Sequence, residues 1–354
     1  MTSKLAANRG AANRRIVLTQ RPHPTVTLAC FRLETAPIPE PAPGEVLLRT
    51  LWLSLDPYMR GRMSDAPSYA APVAIGEVMT GQTVARIESS LNPAYRSGDL
   101  VLAPCGWQEY AVSNGNDLTA LPPGLTRLSW ALGILGMTGF TAYMGLLEIG
   151  KPQPGQTVVV AAATGAVGSI VGQIAKLKGC RVVGIAGGLE KCRWAVGELG
   201  FDACIDHHSP ELAELLAAAC PAGIDVYFEN VGGKVFRAVL PLLNTHARVP
   251  VCGLIAHYGA DAKPAEAEWA LTLMRTILVK RITVRGFIIY DDFGNRFEEF
   301  LASMQAWLRE RRIKYREDIV LGLENAPQAF LGLLEGRNFG KLVVSLDEAH
   351  GVSA

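Results

Sequence analysis

The run Val158-Val159-Val160-Ala161-Ala162-Ala163-Thr164-Gly165-Ala166-Val167-Gly168 decides how this chain folds. Upstream, Pro154 and Gly155 bound an apolar, β-branched stretch; downstream, Ile170, Val171, Ile174 and Leu177 recur at helical spacing. The order is strand, tight turn, helix. Small residues at Ala162, Gly165 and Gly168 let a backbone approach a pyrophosphate, toward which a new helix directs its free N–H groups and positive dipole end. Alanine stands in the first glycine's place, and a strand-to-helix turn that is merely packed tightly would read the same way. The flanking sequence has to decide.

That sequence repeats the unit. Residues 181–186, 203–206, 225–229, 248–252 and 282–289 read as further strands, and 191–199, 210–219 and 269–279 as helices. Alternation at this spacing predicts an α/β fold with right-handed crossovers and a doubly wound parallel sheet, whose ligands bind at the carboxyl ends of the strands. After the second strand an NAD site usually carries Asp or Glu for the ribose 2′-hydroxyl. Here Ala186 and Gly187 hold that place, followed by Lys191 and Arg193, cations suited to a 2′-phosphate. Lys191 would otherwise only solvate a helix start beside Glu190. Other strand ends offer His207 and His208, then Asn230-Val231-Gly232-Gly233, then Cys252 to Tyr258.

The first 130 or so residues differ: short β-type runs at 15–19, 44–52, 76–87, 98–103 and 108–112 predict a β-rich, partly open barrel. Between strands, 53–63 gathers Tyr58, Met59, Met63, Arg60 and Arg62 in one connection, a substrate-loop candidate that could equally be core.

Composition narrows the classes. A net charge of +1 over 354 residues without a basic stripe argues against a nucleic-acid partner. No apolar run is long enough to span a membrane. The first 33 residues carry Lys4, Arg9, Arg14, Arg15, Arg21 and Arg32 with no acid, as a transit peptide would. Because 15–19 already reads as a strand, the expectation is a short arm on a cytoplasmic protein. Seven cysteines without a C-x-x-C pair, and six histidines without H-E-x-x-H spacing, predict reduced thiols and no metal site.

On these residues the chain resembles the zinc-independent branch of the medium-chain dehydrogenase/reductase superfamily. That branch holds the prostaglandin (leukotriene B4 12-hydroxydehydrogenase-type) reductases, plant alkenal double-bond reductases and bacterial NADPH-dependent curcumin/dihydrocurcumin reductases. The matching blocks are 53–63, 136–145, 161–168, 176–192, 229–233, 251–258, 286–289 and 338–341, nearly the whole chain. Where zinc-dependent relatives place Gly-His-Glu, this sequence has Ile75-Gly76-Glu77.

The resemblance implies a GroES-like partly open barrel over 1–132, completed by 300–354, and a Rossmann NADP(H)-binding domain over 133–299. It assigns Gly165, Ala166, Val167 and Gly168 to the pyrophosphate and Lys191 to the 2′-phosphate. Asn230 and Cys252, Gly253, Leu254, Ile255, Ala256, His257 and Tyr258 go to the ribose and nicotinamide side. Phe287, Ile288 and Ile289 take the nicotinamide edge, and Asn338 a further cofactor contact. Tyr58 and Tyr258 match aromatic positions of the substrate pocket, with Met59 beside them. His207 replaces a tyrosine that touches the 2′-phosphate in eukaryotic relatives, and Thr138 replaces a usual proline, which would loosen that turn. The function implied is NADPH-dependent reduction of the activated C=C bond of enones and enals by a homodimer. Tyr258 would donate to the enolate oxygen, or only wall the pocket. NADPH:quinone reduction and NADPH binding without turnover, by a sensor or scaffold, remain the alternatives.

Overall fold

In a computed structural model of the chain, residues 12–23, 25–122, 124–257 and 266–346 are described. They fall into two compact units, one of the described residues within 1–132, 319–337 and 342–354, the other of those within 133–318 and 338–341. The stretch 300–318, expected to complete the barrel domain, therefore belongs to the second unit.

The first unit contains β1 (Ala12–Leu18), β2 (Phe31–Pro37), β3 (Val46–Ser54), the short helix α1 (Tyr58–Arg62), β4 (Thr83–Ser90), β5 (Leu100–Ala103), β6 (Tyr110–Ser113) and β7 (Thr119–Ala120). Buried on nearly every residue, β3 is its spine. It pairs antiparallel with β4 along its length and with β6 over Val46–Arg49, where Arg49 faces Tyr110. Register shifts between Leu47 and Leu48 and between Thr50 and Trp52 let one strand serve several neighbours, because a bulge bends and twists the strand that carries it. The result is an antiparallel run β3-β4-β5-β7, with β6 also paired to β3.

The second unit holds α2 (Met137–Met144), β8 (Thr157–Ala161), α3 (Gly168–Leu177), β9 (Arg181–Ala186), α4 (Leu189–Gly197), β10 (Ala203–Asp206), α5 (Leu212–Ala219), β11 (Ile224–Phe228), α6 (Gly233–Val239), β12 (Leu243–Val251), α7 (Glu266–Lys280), β13 (Thr283–Gly286), α8 (Ile289–Phe293) and α9 (Phe297–Arg309). Its six strands lie in the order β10-β9-β8-β11-β12-β13, every pair parallel. Counted from β8, that is the 3-2-1-4-5-6 order of a Rossmann sheet, with its topological switch between β8 and β11. All five residues of β8 are buried, which explains an apolar run without alternation. Val159, Val183, Ile185, Ile205, Tyr227 and Val249 form one core across these strands.

Two sequence expectations need correction here. The strand expected over 282–289 stops at Gly286, because Asp292 accepts the Ile288 N–H at 2.9 Å and the Arg285 guanidinium at 3.0 Å, folding the chain into α8. Thr138 sits inside α2, which begins at Met137, so the turn expected to loosen is a formed helix.

The chain then passes through β14 (Glu317–Leu321), α10 (Ala326–Leu334) and β15 (Lys341–Ser345), and β15 pairs antiparallel with the end of β3. No helix among the described residues is long and apolar enough to cross a membrane.

Candidate functional site

The expected phosphate turn lies at the carboxyl end of β8, on the switch point. Ala162 adopts φ +52°, the left-handed region that a glycine in its place would occupy freely, so the missing first glycine is replaced by backbone strain. The turn then winds around the Ala162 carbonyl, which accepts the Gly165 N–H at 2.9 Å. A Cβ at Gly168 would stand 2.3 Å from that same oxygen, so only glycine lets α3 start this close to the strand. The N–H groups of Val167 and Gly168 donate to no described residue, leaving them for an anion. Gly165 also bridges to Gly340 in parallel register.

Beyond β9 the space expected for a 2′-phosphate is built from three segments. Lys191, in the first turn of α4, donates from Nζ to the Asn338 backbone oxygen at 2.6 Å. Burial lowers the Lys191 pKa, while Asp318 and Glu190 pull it the other way. Next to Asn338, the Phe339 ring packs edge-on against Trp194 at 5.1 Å and lies 3.9 Å beneath the Arg316 guanidinium. The segment 338–341 is thus pinned against α4 within the second unit, bringing together two residues that the sequence separates widely.

His207 lies beside Gly187, where an added Cβ would come 3.1 Å from its Nε2. Its ring stands 4.1 Å from that of His208, and its Nδ1 is buried without a hydrogen-bond partner among the described residues. Burial, then His208 and Lys234, lower the His207 pKa, so this imidazole is neutral where an ordinary histidine begins to titrate. Asp206, which sequence reasoning passed over, organises the corner. Its Oδ1 accepts the Gly188 N–H at 2.9 Å and the His208 N–H at 3.0 Å, and these bonds hold the carboxyl below its usual range against the effect of burial. An acid closing a β-strand beside two histidines was the available signal.

At the switch point, Asn230 donates from Nδ2 to the Ala161 oxygen at 2.8 Å, linking the ends of β11 and β8. Its backbone oxygen accepts the Ile255 N–H, and that of Val231 accepts the Ala256 N–H at 3.0 Å, so 230–233 and 252–257 interlock. Gly233 donates its N–H to His257 Nε2 at 3.1 Å. Desolvation and the neighbouring Glu229 push the Cys252 thiol up to about 12, far from a nucleophile at neutral pH. Tyr258 lies outside the described residues. Phe287 is buried edge-on to Phe228 at 6.5 Å, Ile289 is buried at the start of α8, and Ile288 bonds through its N–H to Asp292.

In the first unit, Met59 is fully buried in a core with Leu53, Met79 and Trp107, and Tyr58 packs half-buried at its edge. A side chain without exposed surface there acts by packing. The pocket role expected for Met59 is therefore not the one its placement supports.

Among the described residues, no three His, Cys, Asp or Glu side chains gather as a metal ion would need. The glycine cradle, the undonated N–H groups and the half-buried lysine fit a phosphorylated dinucleotide instead.

Known proteins resemble the chain over most of its length. Residues 14–121 match a family described as the N-terminal domain of oxidoreductase, and 166–306 one described as zinc-binding dehydrogenase. The chain is 60% identical over 332 residues to the NADPH-dependent curcumin reductase of Escherichia coli (strain K12), covering 94% of this chain and 96% of that protein. It is 41% identical over 318 residues to prostaglandin reductase 1 of Bos taurus, covering 89% and 93%. The crystal structure of CurA in complex with NADPH from Vibrio vulnificus matches with a TM-score of 0.92 at 58% identity, covering 95% and 99%. With these relatives over nearly its full length, the chain belongs to the zinc-independent branch of the medium-chain dehydrogenase/reductase oxidoreductases.

Proposed function

We propose that this chain is an NADPH-dependent enone reductase. It would saturate the activated C=C bond of α,β-unsaturated ketones and aldehydes, including curcumin-like diarylheptanoids, alkenals and 15-oxoprostaglandin-like enones. The observation that carries this reading is the coincidence of a full-length likeness to a named curcumin reductase with a cradle that offers Lys191, not an acid, beyond β9.

NADPH, when bound, supplies the hydride for the β-carbon of an enone while charge develops on the enolate oxygen, and the α-carbon takes its proton from solvent or Tyr258. The chain's part is to hold the dinucleotide and stabilise that charge. Gly165, Ala166, Val167 and Gly168 take the pyrophosphate, and Lys191 the 2′-phosphate, with His207 beside it as a neutral donor. Asn338 acts through its backbone oxygen on Lys191. Asn230 and the 252–257 loop shape the ribose and nicotinamide side. A phenol hydrogen bond suits an enolate oxygen, and it is assigned to Tyr258 from the sequence. Tyr58 lines the substrate side.

The discriminating measurement is an acceptor screen with product identification. Rapid NADPH oxidation with trans-2-alkenones, giving a product saturated at C=C with its carbonyl retained, is the expected result. Oxidation by quinones alone, or tight NADPH binding without oxidation by any acceptor, would overturn it. For Tyr258→Phe a lower kcat at unchanged NADPH affinity is expected, and an unchanged kcat would remove its role.

The assembly we propose is a homodimer. Support comes from the edge strand β13, exposed along its length, and from Leu271, Met274, Leu278 and Val279 exposed on α7. Sedimentation equilibrium at micromolar concentration tests it, and a monomer there would refute it.

A further inference from the structure

At the end of β11 stands a carboxyl group for which the chemistry above has no use. Glu229 is almost wholly buried, and no lysine or arginine among the described residues is paired with it. Its Oε1 accepts two backbone N–H groups, from Val231 at 2.6 Å and Gly232 at 2.8 Å. Its Oε2 has no hydrogen-bond partner among the described residues, and the Tyr227 hydroxyl is close enough to act on the carboxyl. Burial raises the Glu229 pKa against the effect of these N–H bonds.

Its backbone is equally committed. The Glu229 N–H donates to Pro250 at 2.9 Å, and the Glu229 oxygen accepts the N–H of Cys252 at 2.9 Å and of Gly253 at 3.3 Å. The turn that follows needs this support. Gly232 has φ +75°, and a Cβ there would meet His257 Cδ2 at 2.9 Å, so the 230–233 loop presses directly on the 252–257 loop. Without an acceptor, two N–H groups at that contact would be buried unpaired, at about 1–3 kcal/mol each.

We infer that Glu229 is the positioning residue of the dinucleotide site: its Oε1 sets the turn at Val231 and Gly232, and through it the 252–257 loop that receives the ribose and nicotinamide. The inference rests on the reading that this loop receives the dinucleotide. Glu229 itself touches no substrate or cofactor in this account.

Three variants test it: Glu229→Ala, Glu229→Gln and Gly232→Ala. Dissociation constants for NADPH and NADH come from nucleotide fluorescence, and amide hydrogen exchange is followed in the nucleotide-free proteins. Glu229→Ala should weaken both dinucleotides by one common factor, about tenfold or more, and speed exchange at 230–233 and 252–257 together. The common factor separates this role from that of Lys191, which is expected to act on NADPH alone. Glu229→Gln keeps an acceptor oxygen for both N–H groups and should bind within about twofold of the parent. A folded Glu229→Ala protein with parental affinities, or a glutamine variant as weak as the alanine one, would overturn the inference. Should Glu229→Ala not fold, Gly232→Ala strains the same contact from the other side, and parental affinities there would overturn it equally. A parent protein that binds neither dinucleotide would instead remove the cofactor reading, and this inference with it.

Discussion

The Nζ of Lys191 donates to the backbone oxygen of Asn338 at 2.6 Å, which stations a half-buried cation in the first turn of α4. Both features disfavour a positive charge, since burial removes water and a helix N-terminus repels cations. A doubly ionised 2′-phosphate would offset both. Lys191→Ala should therefore raise the NADPH KM about ten- to a hundredfold, the worth of one charge-assisted hydrogen bond, and leave the NADH KM nearly unchanged. The preference for NADPH should also decline as pH rises through the Lys191 pKa, which burial lowers from 10.5. Equal changes for the two dinucleotides would contradict the assignment.

His207 makes a prediction at the acid end. Its folded pKa lies below the ordinary 6.5 through burial, so the unfolded chain binds the proton more readily. Stability rises with pH wherever the unfolded state binds more protons. The parent should thus lose stability as pH falls from about 6.5 through the lowered folded value. His207→Gln removes that component, so denaturant titrations at pH 7.5 and 5.5 should show a smaller acid loss for the variant. An equal loss in both proteins would place the acid sensitivity elsewhere.

The turn after β8 predicts opposite outcomes for two similar substitutions. Ala162 already occupies φ +52°, so Ala162→Gly relieves strain while loosening the unfolded chain, with a net change within about 1 kcal/mol and NADPH binding kept. Gly168→Ala drives a methyl group to 2.3 Å from the Ala162 oxygen, and the backbone must move. Destabilisation of about 1–3 kcal/mol, with loss of NADPH binding, is expected in thermal melts and titrations. Parental binding by Gly168→Ala would mean that the pyrophosphate does not use this turn.

These features differ in how far the sequence announces them. The strands Arg181–Ala186 and Ala203–Asp206 match their sequence reading to the residue, because each is an apolar run cut short by Gly or by a charged loop. The strand read over 282–289 overran β13 to the start of α8 because the bonds that Asp292 accepts reach back over four and seven residues and leave no periodicity. β2 escaped because Phe31–Pro37 is mostly exposed and alternates weakly, and is defined by its pairing with β1. At the site, the glycines and Lys191 are legible since backbone approach and phosphate charge restrict residue type. Asp206 and Glu229 act on backbone N–H groups, a role that any acceptor of suitable length fills. The contact between Lys191 and Asn338 spans 147 residues and follows only from the fold.

Met59 and Tyr58 carry the last prediction, because adjacent residues in one helix are assigned different work. Met59 is fully buried among Leu53, Met79 and Trp107, whereas Tyr58 sits at the rim of that cluster. Truncation of a buried methionine removes its transfer energy and leaves a cavity, so Met59→Ala should cost about 2–5 kcal/mol. Met59→Leu conserves volume and should cost under about 1.5 kcal/mol. If Met59 only packs, the leucine variant keeps the parental KM for every acceptor, from short alkenones to diarylheptanoids. Tyr58→Ala should instead change the ratio of kcat/KM between small and bulky acceptors, with a smaller loss of stability. A leucine variant whose acceptor preference shifts as strongly as that of Tyr58→Ala would show that the Met59 side chain meets the substrate after all.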